Sequence, residues 1–290
     1  MVKLRISYVL GAFAHTYNVR VSGQFRDKCK AIPRASRGAR CAVACGVLAV
    51  FGLSSTASVR ADSVIVAVAS NFVQTLDELS ARFEQASGHD VVLVSGATGQ
   101  LYAQIVNGAP YDVFLAADQE RPRLLAEAGL GEPATLTTYA LGHLALWSRD
   151  PTLVGPDTLG RLNEIPFRWL ALAEPKIAPY GAAAFEVIDK LGLESAIDDR
   201  IVKGQNIAQT FAMVETRNAE LGFVALAQAI AYRGAASYER VPDDLYTPVR
   251  QDLIILSRAR ENLAARAFVL FLESAEAARI IEALGYGHPR

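Results

Sequence analysis

From residue 64 onward, apolar positions fall into short β-like runs separated by stretches with helical spacing. VIVAVA at 64–69 is continuous, valine-rich and too short for a helix, which predicts a buried strand. Phe72, Leu76, Leu79 and Phe83 follow at intervals of four, three and four, which places them on one face of a helix over about 72–87. VVLV at 91–94 predicts a second strand, 99–107 a short helix ended by Asn107, Gly108 and Pro110, and VFLAA at 113–117 a third strand. This βαβαβ order calls for a parallel sheet with helices on its faces. Beyond it, LGHLALWS at 141–148 reads as one strand running into the Asp150-Pro151 and Gly155-Pro156 turns. A second series follows, with strands at 169–173, 201–203 and 221–226 and helices at 181–192 and 207–217. A strand at 252–256 and helices at 259–272 and 274–284 close the chain, giving two α/β lobes with no internal repeat evident.

The first 61 residues have a different character. Of the chain's 29 basic and 30 acidic residues, ten and one respectively fall in 1–61, leaving 19 and 29, a net charge of −10, in 62–290. Basic residues up to Arg40 precede the apolar run CAVACGVLAVFGL at 41–53, and small residues stand at Val59 and Ala61. That is the order of a secretory signal, and it predicts a targeting segment at 1–61 cleaved after Ala61. The 13-residue run is shorter than the roughly 20 needed to span a bilayer, which weighs against the alternative of an uncleaved anchor. Cys29, Cys41 and Cys45 all lie in this segment, so a mature chain would meet an oxidising compartment with no cysteine to pair. The acidic balance of the remainder argues against nucleic acid as a partner.

Candidate chemistry sits where strands give way to helices, the edge at which open α/β sheets bind ligands. Ala69-Ser70-Asn71 ends the first strand, and Ser70 and Asn71 can either cap the helix or turn donors to a ligand. SGATGQ at 95–100 brings Thr98 to a glycine-rich turn where main-chain N–H groups can approach an anion. PKIAPYG at 175–181 stiffens the third junction before Tyr180, and GQNIAQ at 204–209 offers Asn206 as a cap with the N–H groups of Ile207 and Ala208 beyond it. These junctions contain no arginine, and Lys176 and Lys203 lie several residues before Tyr180 and Ile207. An anion bound here would therefore be held by neutral dipoles: main-chain N–H groups, hydroxyls and the Asn71 amide.

ASNF at 69–72, SGATGQLYAQIVNGAPYDVFLAAD at 95–118, PKIAPYG at 175–181 and LGFVALAQ at 221–228 resemble the periplasmic molybdate-binding proteins of ABC importers, over essentially all of 62–290. The resemblance implies a two-lobed periplasmic-binding-protein fold of the second type. Each lobe would be a mixed, mainly parallel sheet flanked by helices, with 62–142 and 247–290 forming one lobe and 143–246 the other. It implies an oxyanion site made of Ser70, Asn71, Thr98, Tyr180 and Ile207, the last through its main-chain N–H. Thr98 stands where serine is usual, and Ala225 stands where some members carry a tyrosine. The implied ligand is molybdate or tungstate, with no cofactor and no directly ligated metal ion. The implied partners are an inner-membrane permease and its ATPase, and the implied state is a periplasmic monomer without enzymatic activity.

Two other readings compete. A receptor for sulfate or another tetrahedral oxyanion differs only in cavity size. A secreted α/β hydrolase finds little support, since there is no GxSxG elbow and His89, His143 and His288 have no triad or metal-ligand spacing. Asp112 and Asp118, which flank the third strand, are expected to cap and to stabilise turns.

Overall fold

The computed structural model describes residues 62–288, so the targeting segment expected at 1–61 lies outside the described residues. Strand β1 (Ser63–Ala69) and helix α1 (Val73–Ser87) open the first lobe, followed by β2 (Asp90–Gly96), α2 (Thr98–Val106), β3 (Val113–Leu115) and α3 (Glu120–Glu127). Leu76, Leu79 and Phe83 face inward along α1, as their spacing requires, and Gly88 ends the helix in the left-handed conformation at φ +73°. The lobe is completed by β4 (Thr137–Gly142) and, from the end of the chain, by β10 (Val249–Ile255), α8 (Leu263–Leu272) and α9 (Ala275–Ala283).

The second lobe contains β5 (Leu144–Ser148), β6 (Leu170–Ala173), α4 (Pro179–Lys190), the single turn α5 (Glu194–Ile197) and β7 (Ile201–Gly204). Then come α6 (Ile207–Glu215), β8 (Leu221–Ala225), α7 (Leu226–Ala231) and β9 (Ser237–Arg240). The sheets have strand orders β2-β1-β3-β10-β4 and β7-β6-β8-β5-β9. In each, three strands pair in parallel and two more join antiparallel, the fourth strand in each order coming from a crossing between lobes. This shared order is an architectural repeat that leaves no trace legible by eye in the residues.

Both faces of each sheet are covered, which is why the central strands read as continuous apolar runs. Val64, Val66 and Val68 pack with Phe72, Leu76 and the α8 residues Phe268 and Val269, while Ala67 faces Leu101, Ile105 and Leu125 on the other side. In the second lobe Leu170 and Leu172 pack with Val187 and Ile188 of α4, and Ala171 with Val214 of α6 and the buried Trp147.

The single strand expected at 141–148 is in fact two, in different sheets. Gly142 pairs with Val249 in the first sheet and Leu144 with Ala225 in the second, with His143 between them. Apolar periodicity runs unbroken through this crossing because both sides are buried, so nothing in the pattern marks the change of sheet. The α3 helix has little signal in the sequence either, since ERPRLLAE offers few apolar residues, with only Pro122 and Leu125 buried.

Candidate functional site

Five strands deliver their carboxyl ends to one small cavity between the sheets. The first lobe contributes Ala69, Ser70 and Asn71 after β1, Gly96, Ala97 and Thr98 after β2, and Ala117 after β3. The second contributes Ala178, Pro179 and Tyr180 after β6, and Asn206 and Ile207 after β7. Ser70, Asn71, Thr98, Tyr180 and Ile207, separated by up to 137 positions in sequence, thus line the same space. The cavity is small, with about 10 Å³ open to the centre of a water-sized sphere, far below the roughly 300–1,000 Å³ of pockets that hold drug-sized organic ligands. None of its lining residues carries a charge.

The helices around it begin in an unusual way. Helices α1, α2 and α4 have no side-chain cap, although Ser70, Asn71 and Thr98 stand at or beside their starts. The capping role open to Ser70 and Asn71 on sequence grounds is therefore not the one they adopt. Only α6 caps itself in the ordinary manner, Asn206 Oδ1 accepting from the Gln209 N–H at 2.9 Å. Among the described residues, the main-chain N–H groups of Asn71, Thr98 and Ile207 have no partner. Unpaired donors at helix starts are the usual seat of an anion.

The hydroxyls are oriented by what they accept. Thr98 Oγ1 accepts from the Ala117 N–H at 3.1 Å, Ser70 Oγ from the Ala208 N–H at 3.4 Å, and Tyr180 Oη from Gln251 Nε2 at 3.3 Å. Each oxygen receives one hydrogen bond while its own proton has no acceptor among the described residues. All three residues are at least nine-tenths buried. Burial pushes the Tyr180 hydroxyl well above the usual tyrosine range, and the neighbouring Tyr286 and Tyr139 reinforce this, so it stays a neutral donor.

Asn71 requires a correction. Its amide, expected among the anion's donors, turns away from the cavity. One N–H of Nδ2 goes to Gln251 Oε1 at 2.8 Å and the other to the Tyr286 hydroxyl at 3.3 Å. What Asn71 presents to the cavity is its main-chain N–H. Gln251, fully buried in β10, and the hydroxyls of Tyr139 and Tyr286 form a layer behind the site that the junction motifs did not reveal. In β10, which reads VRQDLII, Gln251 stands between the charged Arg250 and Asp252, so nothing in the pattern of the strand marks it as the buried member. Ala225 is buried at the end of β8 and does not line the cavity.

The lobes meet around the cavity. Gly99 N–H donates to the Ile177 carbonyl at 2.9 Å, and Arg121 Nη2 to the Lys176 carbonyl at 3.2 Å. A side chain at Gly99 would place a Cβ 3.0 Å from Ile177 Cα, so any other residue here would need Ile177 to give by a few tenths of an ångström. Gly142 is constrained in the same way, its absent Cβ leaving room for the Tyr180 hydroxyl and Gln251 Nε2.

The two aspartates flanking β3 have structural partners. Asp112 accepts from the Ile65 N–H and pairs with Arg258, and Asp118 accepts from the Arg121 N–H and pairs with its guanidinium. Burial raises Asp118 above the usual carboxylate range despite that pairing. Among the described residues, no group of three His, Cys, Asp or Glu side chains stands together as a metal site would require.

Two lobes of 2-1-3-n-4 sheet order, meeting over an uncharged cavity at the strands' carboxyl ends, define a two-lobed solute-binding protein. Residues 64–287 match the family of bacterial extracellular solute-binding proteins, and the chain belongs to that family. It is 43% identical over 237 residues to the molybdate-binding protein ModA of Rhodobacter capsulatus, covering 82% of this chain and 92% of that protein. To the ModA of Azotobacter vinelandii it is 45% identical over 231 residues, covering 79% and 91%. The solved structure of the Azotobacter vinelandii periplasmic molybdate-binding protein superposes with a TM-score of 0.74 at 38% identity, covering 78% of this chain and all of that one.

Proposed function

We propose that this protein is a periplasmic receptor that captures molybdate, and tungstate beside it, between its lobes and delivers it to the permease of an ABC importer. The observation that carries the reading is the set of buried hydroxyls on Ser70, Thr98 and Tyr180, each already accepting a hydrogen bond and each with a proton to give. With the main-chain N–H groups of Asn71, Thr98 and Ile207 they form a neutral, donor-only cage. Hydrogen bonds to a charged partner are worth about 1.5–3 kcal/mol each, so such a cage supports micromolar or tighter binding after the costs of association. The relatives named above support the choice of molybdate among oxyanions of like charge and shape.

In this reading the oxyanion site is Ser70, Thr98 and Tyr180 through their hydroxyls, and Asn71 and Ile207 through main-chain N–H. Segments 62–142 and 247–290 move as one lobe and 143–246 as the other, closing on the anion as a monomer. The protein binds and releases its ligand unchanged rather than catalysing a reaction. Phosphate is disfavoured because its protonated form brings a donor into a cavity lined by donors, with no carboxylate to receive it.

Calorimetric titration with molybdate, tungstate, sulfate and phosphate tests this. Submicromolar binding of the first two, with sulfate about 100-fold weaker or more, is the expected result. Sulfate binding as tight as molybdate would reassign the receptor, and heatless titrations with all four would end the oxyanion reading.

A further inference from the structure

Behind the cavity a buried chain of hydrogen bonds has a fixed direction. Tyr286 Oη donates its only proton to the Asn71 carbonyl at 2.7 Å, so it must accept from Asn71 Nδ2 at 3.3 Å. The second N–H of Nδ2 goes to Gln251 Oε1 at 2.8 Å, and the Tyr139 hydroxyl lies 3.1 Å from the same oxygen. Only the oxygen end of the Gln251 amide can take the Asn71 N–H, the one proton of Tyr139 having a nearer acceptor in the Ala116 carbonyl at 2.9 Å, so the nitrogen end of the amide faces Tyr180 and donates to Oη at 3.3 Å. Gln251 is 0% exposed and Tyr180 1%.

We propose that Gln251 is a positioning and specificity-determining residue: from the first lobe it occupies the acceptor side of the Tyr180 hydroxyl in the second, leaving that hydroxyl only its proton to offer the bound anion. The inference rests on the oxyanion reading of the cavity and deepens it. Tyr180 becomes an obligate donor, so a fully deprotonated oxyanion is favoured and one that carries a proton finds no acceptor there. The Gln251–Tyr180 bond also joins the lobes, so this polarity is set as the cavity is completed.

Gln251→Glu tests the polarity with little change of shape. As a carboxylate it would accept from Tyr180 and withdraw the proton from the anion; as a neutral acid it would accept with one oxygen, donate with the other, and restore the original direction. The titratable groups around it are the hydroxyls of Tyr139, Tyr180, Tyr246 and Tyr286, all raised by burial and neutral throughout, Asp252, whose carboxylate is turned to Thr138 and Gln119, and Asp118, raised by burial and paired with Arg121. Molybdate affinity of the wild-type protein is therefore expected to be flat between about pH 5.5 and 8.5. Gln251→Glu is expected to bind about 10- to 100-fold more weakly at the upper end and to recover as pH falls. Gln251→Met, farther from glutamine in shape but unable to take the Tyr180 proton, should lose less than Gln251→Glu at high pH.

Wild-type affinity in Gln251→Glu at pH 8.5, an equal loss at both ends of the range, or a larger loss in Gln251→Met would overturn the proposal. Should thermal melting show Gln251→Glu to be unfolded, a cycle of Gln251→Met and Tyr180→Phe decides. The methionine's effect on affinity should vanish in the phenylalanine background, and additive losses would overturn the inference. A wild-type protein that binds no oxyanion removes the underlying reading, an outcome distinct from normal wild-type binding with indifferent Gln251 variants.

Discussion

Thr98 shows how one side chain can serve structure and ligand together. Its Oγ1 accepts from the Ala117 N–H, tying the start of α2 to the end of β3, and that acceptance aims its proton at the cavity. Thr98→Val keeps the volume, removes the donor and leaves the buried Ala117 N–H unpaired. Molybdate affinity should fall about 10- to 100-fold, and stability by about 1–3 kcal/mol in denaturant unfolding. Thr98→Ser keeps both bonds and is expected to stay within about threefold of wild-type affinity, since less than about 1 kcal/mol of contact is lost. A valine variant that binds as well as wild type would remove Thr98 from the donor set. The motif showed that a hydroxyl stood here, because a small polar residue in a glycine-rich turn before a helix is a local signal. Which way an amide points is not local: Asn71 and Ser70 are neighbours, yet Asn71 turns to Gln251, 180 positions away, and to Tyr286, 215 positions away.

At the scale of elements, the helix starts carry the site, and they differ in how they are held. Helices α1, α2 and α4 begin uncapped at the cavity, whereas α6 is fixed by Asn206, whose cap leaves the Ile207 N–H free and the Ala208 N–H directed to Ser70. Asn206→Ala should reduce stability by about 1 kcal/mol, the usual worth of such a cap, visible as a lower urea midpoint at unchanged slope. It should also weaken anion binding, since the first turn of α6 is then free to fray. An unchanged midpoint would show that tertiary packing of Ile207, Thr210 and Val214 holds the turn without the cap. Elements with strong periodicity, such as α1 and β1, were legible to within a residue or two. Among those that escaped, which include the short α5 and α7, the helix α3, the edge strand β9 and the break between β4 and β5 owe their form to tertiary partners. SYER in β9 pairs only with β5, and Tyr238 remains 46% exposed, so alternation gives little to read.

The whole molecule depends on two crossings, and the groups beside them form a small ionic cluster. His143 follows Gly142 at the first crossing, and Arg240, Asp243 and Tyr246 belong to the second. Asp243 Oδ1 accepts from the Tyr246 hydroxyl at 3.0 Å and lies 3.1 Å from His143 Nδ1, while its other oxygen pairs with Arg240 at 2.7 Å. Tyr246 Oη in turn accepts from the Leu144 N–H at 3.2 Å, which ties the cluster to the first residue of β5. Partial burial works to raise Asp243, but the hydrogen bonds from Tyr246, Arg240 and His143 outweigh it and hold the carboxyl below its ordinary value. Tyr246 itself is pushed up to about 12, chiefly by burial, and stays neutral. A carboxyl depressed in the folded state binds its proton more readily when unfolded, so its stabilisation is present above the unfolded value near pH 3.9 and is lost as pH falls through the folded value. Because the Asp243 side chain is 55% exposed, solvent screens the interaction and the effect is small. Asp243→Asn is therefore expected to melt a few degrees or less below wild type at pH 7, with the difference closing only as pH falls through the lowered folded-state value of the wild-type carboxyl. A gap that persists unchanged in acid would mean that Asp243 acts by shape and neutral hydrogen bonding alone, and that charge does not hold this crossing.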